Sequence, residues 1–213
     1  MSLNAAIETV YDSFSDLKMP AFVDGCTCCM TEAEYETLTA KPLRLLSTSE
    51  LNKYASAVFH TMGSEDDYRY FLPRILELTL QDDVEWLSGI EITANKIQMA
   101  GFETWGQKKQ AAITNLWLAV VRESASSASD PELAGFVAWD IDSWLAAATL
   151  IPIDVTPMLA ELEGSPGIIR ELYNMHFPMV LNGQLHNSFL ETPSEGQTQI
   201  AVWLRTRVES TMK

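Results

Sequence analysis

The sequence predicts an all-α protein, and three observations carry that reading. Apolar residues recur at three-and-four spacing along most of the chain. Helix start and stop signals (Ser, Thr and Asp caps, then Gly or Pro) punctuate those stripes at short intervals. No stretch shows the apolar/polar alternation of a strand. Together they predict a single helical domain over 1–213 with about nine or ten helices. Short links between successive helices suit an irregular α-α superhelix of HEAT-like kind or a closed orthogonal bundle, and no internal repeat of fixed period is present.

Taken in order, Leu3, Ala6, Ile7, Val10, Tyr11, Phe14 and Leu17 make one stripe, which predicts a first helix ending near Leu17. Residues 18–30, KMPAFVDGCTCCM, carry Pro20 and Gly25 and no helical period, so they read as an ordered loop that holds three cysteines. Thr31 opens a capping box with Glu34, where hydroxyl and carboxylate satisfy the first free amides of a short helix. Pro42 ends it. Thr48 or Ser49 is expected to cap the next helix, striped by Leu51, Tyr54, Ala55, Val58, Phe59 and Met62 and stopped by Gly63. Ser64 with Glu65, Asp66 and Asp67 starts a helix carrying Tyr68, Phe71, Leu72, Ile75 and Leu76, which Pro73 should kink or split. Asp82 and Asp83 start another, from Val84 toward Gly101, whose apolar residues keep no single phase.

From Gln107 the stripe Ile113, Leu116, Trp117, Val120 and Val121 is regular. Residues 124–130, SASSASD, read as a short polar linker between two helical halves, closed by an Asp130 cap with Pro131 at the first helical position. Leu133, Phe136, Val137, Ile141, Trp144, Leu145 and Ala148 should line the next helix. Pro152 ends it and Asp154 begins a short one through Leu162. Ser165 and Pro166 begin a helix with Ile169, Leu172, Tyr173, His176 and Phe177 facing inward. A loop at Asn182 and Gly183, a turn at Pro193 to Gly196, and a last helix through Ile200, Ala201, Leu204 and Val208 complete the chain.

Composition bounds the function. The 213 residues are 47% apolar and 20% charged, enough to bury a core without disulfides or metal. Lys and Arg total 14 against 29 Asp and Glu, a formal charge of -15. A field of that sign repels phosphate backbones, so a nucleic-acid partner is not expected, whereas a basic protein partner is attracted. The first residues lack the basic and apolar regions of a leader, and no apolar run approaches the ~20 residues of a membrane span, so a cytoplasmic protein without membrane association is expected. Three cysteines in one cluster make no disulfide framework, which also favours a reducing compartment.

Those cysteines are the one constellation with chemistry. Cys26 and Cys29 form a Cys-x-x-Cys pair beside Cys28, a spacing that chelates zinc or closes a short disulfide, placed just before a helix N-terminus. Plain cysteines packed under the loop are the commoner outcome of such a run, ahead of a structural metal and then redox work. With no second Cys-x-x-Cys, the remaining ligands of a zinc site would come from His60, His176, His186 or a carboxylate far along the chain. His176 lies on an apolar stripe, where histidine is more often a hydrogen-bonded core residue than a base. His60 falls on a polar flank. His186 lies in a loop. Asp140 sits between Val137 and Trp144, where the helical period predicts burial, although an aspartate at a stripe's edge usually reaches water. The acidic groups at Glu65 to Asp67 and at Asp82, Asp83 and Glu85 fall at helix starts, where the dipole accounts for them. The six tryptophans read mostly as core. Phosphate-binding loops, serine elbows, His-Glu-x-x-His and dinucleotide fingerprints are absent from the sequence, which makes an enzyme the less expected class.

GCTCCM, SEDDYRYFLPRILEL, TWGQKKQAAITNLWLAVV and WDIDSWLAAATLIPIDVTPMLAEL resemble segments of a family of bacterial all-helical proteins with a Cys-x-x-Cys segment and an FLPR motif. The resemblance runs from about Asp24 to Leu162. It maps the cysteine pair onto Cys26 and Cys29 and the FLPR motif onto Phe71 to Arg74, and it implies no established activity. The leading expectation is therefore a helical interaction or scaffold module with an acidic surface and a basic protein partner. The alternative is a metal- or thiol-dependent protein centred on Cys26, Cys28 and Cys29, with zinc as the fitting ion; an enzyme using Asp140 or His176 in a pocket is the third.

Overall fold

A computed structural model describes residues 1–81, 88–127, 134–190 and 192–211. Among these residues there are ten α-helices and three short 3-10 turns, and no strand. The all-α expectation holds. The chain divides into two compact units, Asn4–Ile113 and Thr114–Lys213 with Met1–Leu3. None of the described helices is long and apolar enough to cross a membrane.

The unit Asn4–Ile113 is built from α1 (Leu3–Ser13), α2 (Glu32–Thr39), α3 (Thr48–Ala57), α4 (Glu65–Thr79), α5 (Ile90–Met99) and the start of α6 (Gln107–Ser127). α2 begins with the expected capping box: the Glu34 amide donates to Thr31 Oγ1 at 3.3 Å and the Thr31 amide to the Glu34 carboxylate at 2.8 Å. The cap of α3 is Ser47, ahead of the expected Thr48 or Ser49, because Ser47 is the residue that forms a reciprocal box with Glu50. α3 stops at Ala57, short of the expected Met62. Val58 and Met62 remain buried, but Phe59 takes φ +70° and its amide donates to Met62 O at 3.0 Å, so that part of the stripe is a packed turn. α4 runs unbroken through Pro73. An interior proline costs about 3 kcal/mol, and the buried Tyr68, Phe71, Leu72, Ile75 and Leu76 offset it at about 1.5 to 3 kcal/mol each. The expected helix from Val84 is seen from Ile90 onward; Asp82, Asp83, Glu85, Trp86 and Leu87 lie outside the described residues.

Among the described residues of this unit two charged side chains are buried, Glu91 at 9% exposed and, more deeply, Lys96. Lys96 is only 3% exposed and its Nζ donates to the Ala55 carbonyl, which also accepts from Ser88 Oγ at 3.3 Å. Burial of the ammonium pulls its pKa down from 10.5 to about 8. Six cations of the unit sit in ion pairs nearer the surface: Lys41 with Glu50, Arg44 with Glu8, Lys53 with Glu34, Arg69 with Asp66, Arg74 with Glu77 and Lys109 with Asp16.

The unit Thr114–Lys213 holds the rest of α6, then α7 (Ala134–Leu150), α8 (Thr156–Glu161), α9 (Pro166–His176) and α10 (Glu195–Thr211). Residues 124–127 of the expected linker are the last turn of α6, closed by Ser126 and Ser127 hydroxyls donating to the carbonyls of Arg122 and Ser124. Residues 128–130 of that linker, with Pro131 and Leu133, lie outside the described set. α7, α9 and α10 pack on one another, and Trp117 meets Trp144 edge to face with ring centroids 5.0 Å apart. Arg122 pairs with Glu161 and Arg207 with Glu163.

Candidate functional site

The cysteine loop lies in the unit Asn4–Ile113 and is held along its backbone. Val23 and Met30, both buried, pin its two sides. The Cys26 amide donates to Thr61 O at 2.9 Å and the Gly63 amide to Asp24 O at 2.8 Å, which ties the loop to the turn after α3. The Cys26 carbonyl accepts the amides of Cys29 (3.0 Å) and Met30 (3.3 Å) and the Tyr35 hydroxyl (3.2 Å). Gly25 fits where no other residue would: a Cβ there would lie 2.2 Å from the Tyr35 hydroxyl oxygen and 2.4 Å from Met62 Cβ.

On this frame Cys26 is bonded to Cys28, not paired with Cys29 as the Cys-x-x-Cys spacing suggested. Folding the chain at Cys26 brings the Cα atoms of Cys26 and Cys28 to 5.3 Å, inside disulfide range. Cys29 is a free, exposed thiol with its Sγ 3.8 Å from that of Cys28. The three sulfurs all lie within 4.8 Å of one another. Among the described residues no histidine or carboxylate joins them; His60 is exposed in the turn after α3. The Tyr35 phenol is pushed upward in pKa by burial, then by the charges of Cys29 and Asp24.

The second unit contains the sequence-predicted His176, Asp140 and His186. His176, 1% exposed, sits at the end of α9 as the stripe predicts. Its Nδ1 accepts the His186 backbone amide at 3.0 Å, so in the neutral ring the proton resides on Nε2, 2.8 Å from Asp142 Oδ1. Asp142 Oδ1 has no well-aligned hydrogen bond, so the contact with the ring is electrostatic. The buried acid of α7 is therefore Asp142, 8% exposed, and Asp140 is exposed, accepting from Ser124 Oγ at 2.8 Å. The His186 side chain is exposed and its contribution is its backbone.

α7 also presents an apolar face outward. Phe136, expected inward, is 80% exposed, and Trp139, which the stripe reading missed, is 71% exposed. Phe177, likewise expected inward, is 57% exposed just beyond α9. Gly135, Phe136, Trp139, Asp140 and Ser143 line an open depression of about 640 Å³. The opposite side of α7, with Ala138, Ile141, Trp144 and Leu145, is buried. The signal for this second face was present in the sequence, because Phe136 and Trp139 stand three apart with Asp140 and Ser143 completing a helical row. Comparison with protein-family models, curated proteins and solved structures finds no match for the chain.

Proposed function

We propose that the chain is a protein-binding module whose docking face is the outward row of α7, and that its partner presents a basic amphipathic helix. The observation that supports this most is the exposure of Phe136 and Trp139, at 80% and 71%, side by side over an open depression. Large aromatics in that state are anchors for a partner, since tryptophan dominates binding energy at interfaces. The partner's sign follows from charge. α7 carries Asp140 and Asp142 and no basic residue, Asp140 borders the depression, and the whole chain is at -15. Apolar groups of a partner helix would meet the two rings while its lysines meet Asp140 and the acidic field.

The test uses a synthetic Leu/Lys amphipathic helix, titrated calorimetrically into the full chain, with a Leu/Glu helix of the same pattern beside it. The Leu/Lys helix binds and the Leu/Glu helix does not. Trp139→Ser weakens binding by at least about tenfold, which is about 1.4 kcal/mol, whereas Val202→Ser, at an exposed apolar site on α10, leaves it unchanged. Equal binding by wild type and the Phe136→Ser/Trp139→Ser double variant overturns the proposal, as does no binding at all. A chain that sediments as a dimer, and as a monomer in the double variant, would assign the face to a second copy and overturn the basic partner.

A further inference from the structure

We infer that, once the Cys26–Cys28 bond is reduced, Cys26, Cys28 and Cys29 together bind one thiophilic closed-shell cation such as zinc, so that the oxidation state of that bond decides whether the loop carries metal. The inference rests on the loop and is independent of the α7 face.

Three features carry it. The first is donor geometry. All three sulfurs lie within 4.8 Å of one another, and the Cys28 and Cys29 sulfurs are 3.8 Å apart. Two thiolates on one tetrahedral zinc, with Zn–S bonds of about 2.3 Å, stand about 3.8 Å apart, so those two need little movement. Cys26 Sγ moves away from Cys28 when their bond is broken, and it already lies within reach of the same centre.

The second is a frame that does not depend on the bond. The amides of Cys26, Cys29, Met30 and Gly63, the Tyr35 hydroxyl and the close contacts around Gly25 fix the backbone from both sides. A preorganised loop spares the ordering entropy that metal binding otherwise has to overcome. The third is access and charge. Thr27, Cys28 and Cys29 are exposed, so an ion reaches the sulfurs directly and keeps a coordination position open to solvent or to an incoming ligand. Soft thiolates select zinc or copper(I) over magnesium or calcium, and the exposed carboxylate of Asp24, two residues before Cys26, adds negative charge to the loop.

The steps balance. Two equivalents of a monothiol reductant convert the Cys26–Cys28 bond to two thiols and become one disulfide. The three protein thiols then release three protons as their sulfurs bond to one divalent cation. Oxidation reverses this: two thiolates join, two electrons pass to a disulfide oxidant, and the cation is left on the single sulfur of Cys29, too few ligands to retain it.

Cobalt(II) is the probe, because thiolate coordination gives an intense charge-transfer absorption and tetrahedral geometry gives strong visible bands. The full chain is reduced anaerobically with a phosphine, freed of reductant and titrated with cobalt(II), then with zinc as competitor. One cobalt(II) binds per chain with thiolate absorption, zinc displaces it, and the oxidised chain shows neither band. Cys28→Ser and Cys29→Ser each weaken binding by at least tenfold. As a route free of substitution, the oxidised chain is alkylated with iodoacetamide at its one free thiol, Cys29, and then reduced; it too loses the bands. A reduced chain that binds no cobalt(II), that binds it equally after Cys29 alkylation, or that binds it equally when oxidised overturns the inference.

Discussion

Replacing Lys96 with methionine should make the protein more stable at neutral pH, and the gain should disappear in alkali. The ammonium is buried beside the Ala55 carbonyl, and burial lowers its pKa from 10.5 to about 8. Below pH 8 the group is protonated whether the chain is folded or not, so the folded state carries the whole cost of an enclosed charge. Between pH 8 and 10.5 the unfolded chain binds the proton and the folded chain does not, so stability rises with pH; above 10.5 the cost is gone. The interval corresponds to at most about 3 kcal/mol for a side chain that is 3% exposed. Methionine removes that cost and forfeits one hydrogen bond of about 1 kcal/mol, while the carbonyl keeps Ser88. The expected net gain is about 2 kcal/mol at pH 7. Urea unfolding of wild type and Lys96→Met at matched pH from 7 to 11 measures it, and tyrosine titration cancels in the difference. A difference that stays constant across that range, or a variant less stable at pH 7, would refute the account of Lys96 as an enclosed ammonium.

Other expectations are as direct. A double-mutant cycle on His176→Ala and Asp142→Ala should give a coupling of more than about 1 kcal/mol in urea unfolding, whereas additive losses would mean the buried pair is incidental. Gly25→Ala should destabilise the chain by about 1 to 3 kcal/mol and speed hydrogen exchange at the Cys26 and Gly63 amides, because the added carbon has to displace Tyr35 or Met62; unchanged exchange would contradict the packing described. Trp117→Ala, at a fully buried ring against Trp144, should cost about 3 to 5 kcal/mol by the same unfolding measurement.

What the sequence revealed and what it hid follow from the same physics. Apolar periodicity reports burial, and helices are only one way to bury a row of side chains. It placed α4, α9 and the body of α6, although α6 runs on through residues 124–127 of the expected linker. It overran α3, because Val58 and Met62 are buried in a turn built on the left-handed Phe59. On α7, which is apolar on both sides, periodicity found one face and assigned Phe136 to it, leaving the exposed row unseen. Asp140 reaches water, as an aspartate at a stripe's edge usually does, and the carboxylate that is buried is Asp142, which shares the inward side with Ala138 and Leu145 and was not singled out. His176 was legible as a core histidine. Its partners were not, because they come from α7 and from a loop amide ten residues on. The cysteine loop was legible as a cluster. Which two sulfurs bond was not, because spacing fixes only which pairs are near in sequence, and the backbone turn closed by Cys26 O decides which are near in space.

The pairing of cations with carboxylates has a consequence for how this molecule behaves as a polyelectrolyte. Lys41, Arg44, Lys53, Arg69, Arg74, Lys109, Arg122 and Arg207 are each engaged with an acid of their own unit. What faces the solvent is then a surplus of like charge, given 29 acids to 14 bases. Exposed pairs are worth little, about 0 to 1 kcal/mol, and salt erodes that little, but the same ions screen the mutual repulsion of every unmatched carboxylate over about 10 Å at 0.1 M. Added sodium chloride should therefore tighten the fold and raise its urea midpoint while weakening its hold on any cationic partner: ionic strength pulls folding and recognition in opposite directions.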